Sequence, residues 1–181
     1  ADPICKTPIH GWHEEHGAVF ENVGQWKRPW YYPRNGESME QAIKRECRAA
    51  RTGVAMLDQS TLGKIDVQGP DAARFLNRVY TNAWTRLGIG RCRYGLMLGE
   101  DGMVLDDGGT ARLGENHYHM FTTTGGAANV MSWLERWLQT EGPELKVFLT
   151  FVTDQWSTMS IVGPNSREII ANICDDIDFS H

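Results

Sequence analysis

The sequence predicts an α+β fold: antiparallel sheets with packed helices. Three observations predict it. Residues 94–124, YGLMLGEDGMVLDDGGTARLGENHYHMFTTT, hold three strand-like runs joined only by Gly-Glu-Asp-Gly and Gly-Glu-Asn, which are hairpin connections. Segments with apolar residues at helical spacing stand on both sides of that meander. A strand–Gly–Pro–helix pattern occurs twice, around Gly69-Pro70 and around Gly163-Pro164.

The elements follow in chain order. Residues 1–37 are rich in Pro, Gly, His and Trp and read as loop and short turns. Ser38 with Gln41 three residues on is a capping-box pair, so a helix is expected over 39–51, ended by Gly53. STLGKIDVQG, residues 60–69, alternates imperfectly and reads as a strand. Pro70 suits the first position of a helix, and DAARFLNRVY carries Ala73, Phe75-Leu76 and Val79-Tyr80 at helical spacing. The three meander strands come next, with Gly and Asn expected to supply positive φ in both turns. AANVMSWLERWLQTEG places Val130, Trp133-Leu134 and Trp137-Leu138 on one helix face. KVFLTFVT and WSTMSIVG are two further strands, and Pro164 opens a last helix, NSREIIANIC. The two Gly-Pro segments, Ile65–Arg74 and Met159–Glu168, are either a common local solution or copies in a duplicated α+β unit. Duplication divides the chain into a loop-rich segment 1–37, a first unit 38–150 and the start of a truncated second unit 151–181. The chain then stops soon after a helix start, as a fragment of a longer protein would.

Composition sets outer bounds. The net charge of −5 argues against a nucleic-acid binder, which needs basic clusters for phosphate. No apolar run approaches the ~20 residues of a membrane span, and no secretory signal is visible. Cys5, Cys47, Cys92 and Cys174 form no CxxC pair, which points to reduced thiols and a cytoplasmic protein rather than a disulfide framework or zinc site.

The chemistry concentrates at Asp106-Asp107, placed directly behind the apolar run Met103-Val104-Leu105. Adjacent strand residues face opposite sides, so one carboxylate is expected in a cleft and the other at a turn or in solvent. Asp-Asp-Gly-Gly by itself is ordinary turn chemistry. Thr122-Thr123-Thr124-Gly125-Gly126 before a helix is expected to cap it, with anion binding the weaker alternative. His10, His13 and His16 lack the HExxH spacing and read as structural or solvated. His117 and His119 share a strand face without an evident third ligand, so no metal is expected. Arg86, Arg91 and Arg93 read as an anion contact or a simple loop.

Four segments occur in a telling order: TPIHGWHEEHGA, GQWKRPWYYP, ECRAARTGVAMLDQSTLGKIDVQGPDAARFLNRVYTN and YGLMLGEDGMVLDDGG. Together they resemble the aminomethyltransferase (glycine-cleavage T-protein) family from about Thr7 onward. The Trp-Lys-Arg-Pro-Trp-Tyr-Tyr segment is similar to its oxidase branch, with the folate-binding portion of the heterotetrameric sarcosine oxidase alpha subunit as the nearest likeness. The resemblance implies the first half of a duplicated folate-binding fold. It implies a tetrahydrofolate-dependent one-carbon transfer module that captures the imine or formaldehyde from sarcosine oxidation as methylenetetrahydrofolate. FAD, FMN and NAD would sit in other domains or subunits of a heteromeric oxidase. It implies Asp107 as the catalytic acid–base group, and Leu62, Tyr94, Met120 and Thr122 as ligand-lining positions. The family often has Asn at the position of Thr122. The alternative is a non-catalytic fragment that packs against partner subunits.

Overall fold

The structure is a computed structural model that describes residues 2–179; Ala1, Ser180 and His181 lie outside the described residues. Its elements in order are β1 (Cys5–Lys6), α1 (His10–Glu15), β2 (Val19–Val23), β3 (Trp26–Tyr31), α2 (Met39–Thr52), β4 (Ala55–Asp58), β5 (Gly63–Gln68), α3 (Ala72–Val79), β6 (Cys92–Leu98), β7 (Val104–Gly114), β8 (His117–Thr122), α4 (Ala127–Thr140), β9 (Phe148–Phe151), β10 (Met159–Val162) and α5 (Ser166–Ala171). Two compact units result: residues 1–61 with 157–181, and residues 62–156.

The first unit carries a three-stranded sheet in the order β1-β3-β2 and a separate antiparallel pair, β4 with β10. The expectation of loop and turns over residues 1–37 is thus corrected: three strands and a short helix stand there. Pro29 hid β3, because proline cannot donate to a ladder. The structure tolerates it because β1 covers β3 only at Trp26 and Lys27, which leaves the Pro29 side of the strand unpaired. α2 begins as expected: Ser38 Oγ accepts from the Gln41 backbone N–H at 3.3 Å and Gln41 Oε1 accepts from the Ser38 N–H at 2.8 Å.

The second unit is a five-stranded antiparallel sheet, β6-β7-β8-β5-β9, with α3 and α4 on one face. That face contributes Ile65, Val67, Met97, Tyr118 and Met120 to a core completed by Phe75, Leu76, Val130 and Leu134. Each such side chain is worth about 1.5–3 kcal/mol of burial. The β6–β7 turn uses Gly102 at φ 78°, as expected. The β7–β8 turn does not: neither Gly114 nor any non-glycine among the described residues has positive φ, and a register shift beside Gly114 closes the turn instead. The two Gly-Pro segments match in detail. Gly69 and Gly163 have φ of 123° and 115°, and the N-cap residues Asp71 and Asn165 adopt φ/ψ of −98°/7° and −96°/7°. No helix among the described residues is long and apolar enough to cross a membrane.

Candidate functional site

β7 sends its adjacent carboxylates to opposite faces of the second unit's sheet. Asp106 stands in register with fully buried Met97 and is itself buried. Its Oδ1 accepts from the Thr123 backbone N–H at 3.2 Å, in the turn leading into α4. α4 has Gly126 as N-cap and no side-chain cap. The expected Thr capping is therefore replaced by a carboxylate reaching over from β7, a favourable place for negative charge. Asp106 Oδ2 and the buried Tyr80 hydroxyl have no hydrogen-bond partner among the described residues. Burial, then the charges of Asp106 and Asp107, push the Tyr80 phenol well up, so it stays protonated.

Asp107 stands in register with Leu96 on the other face and is half-buried. The Tyr94 hydroxyl donates to Asp107 Oδ2. Asp107 Oδ1 has no partner among the described residues. Tyr94 lies opposite Gly109, and beyond Gly109 comes β8. A Cβ on Gly108 would fall 2.1 Å from the Phe121 carbonyl oxygen, so the β7 and β8 backbones meet closely there. Phe121 lies between buried Met120 and Thr122 and so projects to the face of Tyr94 and Asp107. Gly109 is a bare floor between two aromatic side chains; the atom nearest an added Cβ is Cys92 Sγ at 3.4 Å. Two strand spacings, about 10 Å, separate those side chains at their bases. One flat ring with its two ~3.5 Å contacts fits between them.

The same face continues through His119 and Asp66, which are in register. Asp66 accepts from His119 Nδ1 at 2.6 Å and from His117 Nε2 at 2.9 Å. The His119 ring meets Phe121 edge-on at 5.1 Å and lies 5.4 Å from Trp156. Lys64 is fully buried, with Nζ donating to the Leu62 carbonyl at 2.9 Å and lying 5.9 Å from the Phe121 ring centroid.

The structure thus brings Asp107 and Tyr94 together. Leu62 is half-buried, immediately before β5. Met120 and Thr122 are buried on the opposite, helix-covered face, Met120 in the core and Thr122 against Gly63, where an added Cβ would fall 2.3 Å from Thr122 Oγ1. Phe121 and Asp66 escaped the sequence reading, and His119 was weighed there only as a metal ligand. Two-residue alternation was the available signal: residues sharing a face with Met120 cannot share one with Phe121.

In the first unit, His10 and His13 are buried and His16 stacks on Trp12. His13 bridges Asp58 Oδ2 at 2.9 Å and the Tyr32 hydroxyl at 2.5 Å. Burial, then the charges of Asp58 and Glu46, push Tyr32 up to about 12. No group of three or more His, Cys, Asp or Glu among the described residues could hold a metal ion.

Residues 9–181 match the family described as the GCVT N-terminal domain. The chain belongs to that family. It is 58% identical over 180 residues to the sarcosine oxidase subunit alpha of Corynebacterium sp. (strain U-96), covering 99% of this chain and 19% of that relative. It is 29% identical over 177 residues to the aminomethyltransferase of Listeria monocytogenes serotype 4a (strain HCC23), covering 98% of this chain and 45% of that relative. The crystal structure of glycine cleavage system aminomethyltransferase T from Bartonella henselae shares the fold, with a TM-score of 0.82 at 24% identity over 97% of this chain and 46% of that one. The chain therefore spans roughly a fifth of the oxidase subunits and under half of the aminomethyltransferases. The GCVT family and the α+β fold of antiparallel sheets with packed helices agree with the sequence reading.

Proposed function

We propose that this chain is part of a tetrahydrofolate-dependent one-carbon transfer module, in an enzyme that oxidises an N-methyl amine such as sarcosine. The observation that carries this reading is the half-buried Asp107, held by the Tyr94 hydroxyl, beside the bare Gly109 floor between Tyr94 and Phe121. The fit is one of shape and chemistry: a flat heterocycle suits two aromatic walls, and an amine nitrogen suits a carboxylate with a free oxygen. Bound tetrahydrofolate would supply two nucleophilic nitrogens to the carbon of an iminium or formaldehyde. Asp107 Oδ1 would accept an N–H hydrogen bond, stabilise the positive charge that grows on nitrogen, and take up the proton. General-base catalysis of this type is worth about 10²–10⁴-fold. Tyr94 would fix the carboxylate through Oδ2. Leu62 would add apolar wall, whereas Met120 and Thr122 would act from behind by holding β8 in register. We assign FAD, FMN and NAD to other domains or subunits, place the enzyme in the cytoplasm, and keep 38–150 as the first folate-binding unit.

Titration of the chain with tetrahydrofolate, followed by Trp fluorescence, tests the reading. Saturable quenching weakened about tenfold or more in Asp107→Ala and Tyr94→Ala is expected, roughly the worth of a charge-assisted hydrogen bond. Quenching that is absent, or equal in all three proteins, overturns it. A second reading, a non-catalytic piece that packs against partner subunits, is favoured by the exposed Met103, Val104 and Leu105 at the start of β7.

A further inference from the structure

The helix-bearing side of the second unit holds a cavity of about 500 Å³ that the one-carbon reading leaves unused. It lies between α3, α4 and the β6–β7 turn, and its size falls within the range of small-molecule sites. Buried Phe75 and Val79 contribute apolar surface. Trp133 and Trp137, one turn apart on α4, supply aromatic walls; their centroids are 5.5 Å apart and their planes meet at 69°, so they make a corner rather than a stack. Glu100 and Glu141 add two carboxylates, and neither side chain has an ion-pair partner among the described residues. Arg78 also lines the cavity, with its guanidinium engaged at the rim: Nη1 donates to the Glu141 carbonyl at 2.9 Å and Nη2 lies 3.9 Å from Glu144. The Trp133 indole already attracts a cation, since the Arg136 guanidinium lies 5.8 Å from its centroid.

We propose that this cavity binds a small organic cation of the methylated-ammonium class. That class suits both the two indoles and the net negative charge of the lining, where Glu100 and Glu141 stand against Arg78. A neutral apolar molecule would satisfy the indoles and leave two carboxylates uncompensated. Bare ammonium would satisfy the carboxylates and leave apolar walls against water. An anion would meet two carboxylates against one guanidinium, a net like charge. A methylated ammonium spreads its charge over methyl groups that pack on indole faces while the carboxylates balance it. The site is distinct from the Asp107–Tyr94 face, which is on the other side of the same sheet.

The test is calorimetric titration of the 181-residue chain with choline, and with dimethylbutanol as the uncharged molecule of the same shape. Choline is expected to bind saturably and the alcohol at least about tenfold more weakly, a cation–π and Coulomb difference. Trp137→Leu is expected to weaken choline by a similar factor. Because Trp137 is half-buried and its loss can disturb α4, the double variant E100Q/E141Q, at exposed positions, carries the decision: choline weakens about tenfold or more while the thermal midpoint and circular dichroism stay unchanged. Equal binding of choline and the alcohol, choline binding unaffected by E100Q/E141Q, or no saturable binding of choline overturns the proposal.

Discussion

In the proposed reaction Asp107 does the chemistry and Tyr94 aims it. In the whole enzyme, Asp107→Asn is expected to lower one-carbon transfer about 10²–10⁴-fold with the fold intact, since the amide keeps the shape and loses the base; single-turnover product formation measures it. Tyr94→Phe keeps the aromatic wall and removes only the bond to Asp107 Oδ2. About tenfold loss of transfer with unchanged tetrahydrofolate affinity is expected, the worth of one charge-assisted hydrogen bond. Unchanged transfer would mean that Tyr94 serves as wall alone, and loss of affinity would mean that its hydroxyl serves binding rather than aiming the base. Both residues were named from the family resemblance, and their contact is a short-range one, since β6 and β7 are hairpin neighbours along the chain. Met120 and Thr122 against Phe121 was a different problem. Which of them faces Asp107 depends on the Thr110–Met120 register, and a one-residue slip reverses every side chain. Short-segment matching does not carry that parity.

At the level of elements, local chemistry was readable and distant pairing was not. The capping box at Ser38 fixed the start of α2 from four residues of sequence. Ser38→Ala is expected to cost about 1 kcal/mol, seen as a shift of the denaturant midpoint. β4 was missed because its four residues find their partner in β10, a hundred positions away in the chain. The repeated Gly-Pro turns offer a sharper test of steric demand. Gly69 combines φ 123° with a backbone wall, since an added Cβ would fall 2.1 Å from the Lys146 carbonyl oxygen. Gly163 repeats this against the Gly53 carbonyl at 2.3 Å. Gly102 has φ 78° with nothing within 4 Å. Ala at Gly102 is expected to cost about 1–2 kcal/mol for the left-handed backbone. Ala at Gly69 or Gly163 should cost clearly more, and near-equal losses at those two would show that the echo is one device used twice.

Across the whole molecule the two units are held by different kinds of force. The apolar cluster from Ile65 to Val147 lies within residues 62–156, and among the described residues only Pro3 and Ala42 are buried apolar side chains of the first unit. The first unit relies more on polar contacts: His13 with Asp58 and Tyr32, Arg45 with Glu37, Arg28 with Glu21. Removing one member of the buried pair, as in His13→Ala, is expected to destabilise that unit by about 3–5 kcal/mol. The same contacts make it sensitive to acid. Burial alone would raise Asp58, but hydrogen bonds from Ser60 and His13 outweigh it and hold the carboxyl below 3.8. Side-chain hydrogen bonds from Arg45 hold Glu37 down to about 2. A carboxyl whose folded pKa is depressed contributes stability above its unfolded pKa and loses it as pH falls through the folded one. Stability from these groups is thus complete above about pH 5 and drains away as pH falls below about 4, the share of Glu37 persisting to about pH 2. Hydrogen exchange read residue by residue on acidification should show β2, β3 and α2 losing protection in that window while β5 and β8 keep theirs. Asp58→Asn, which no longer titrates, should begin lower at neutral pH and lose protection less steeply. A uniform loss across both units would show that the burial of apolar surface, and not the carboxylate network, sets the acid limit of the first.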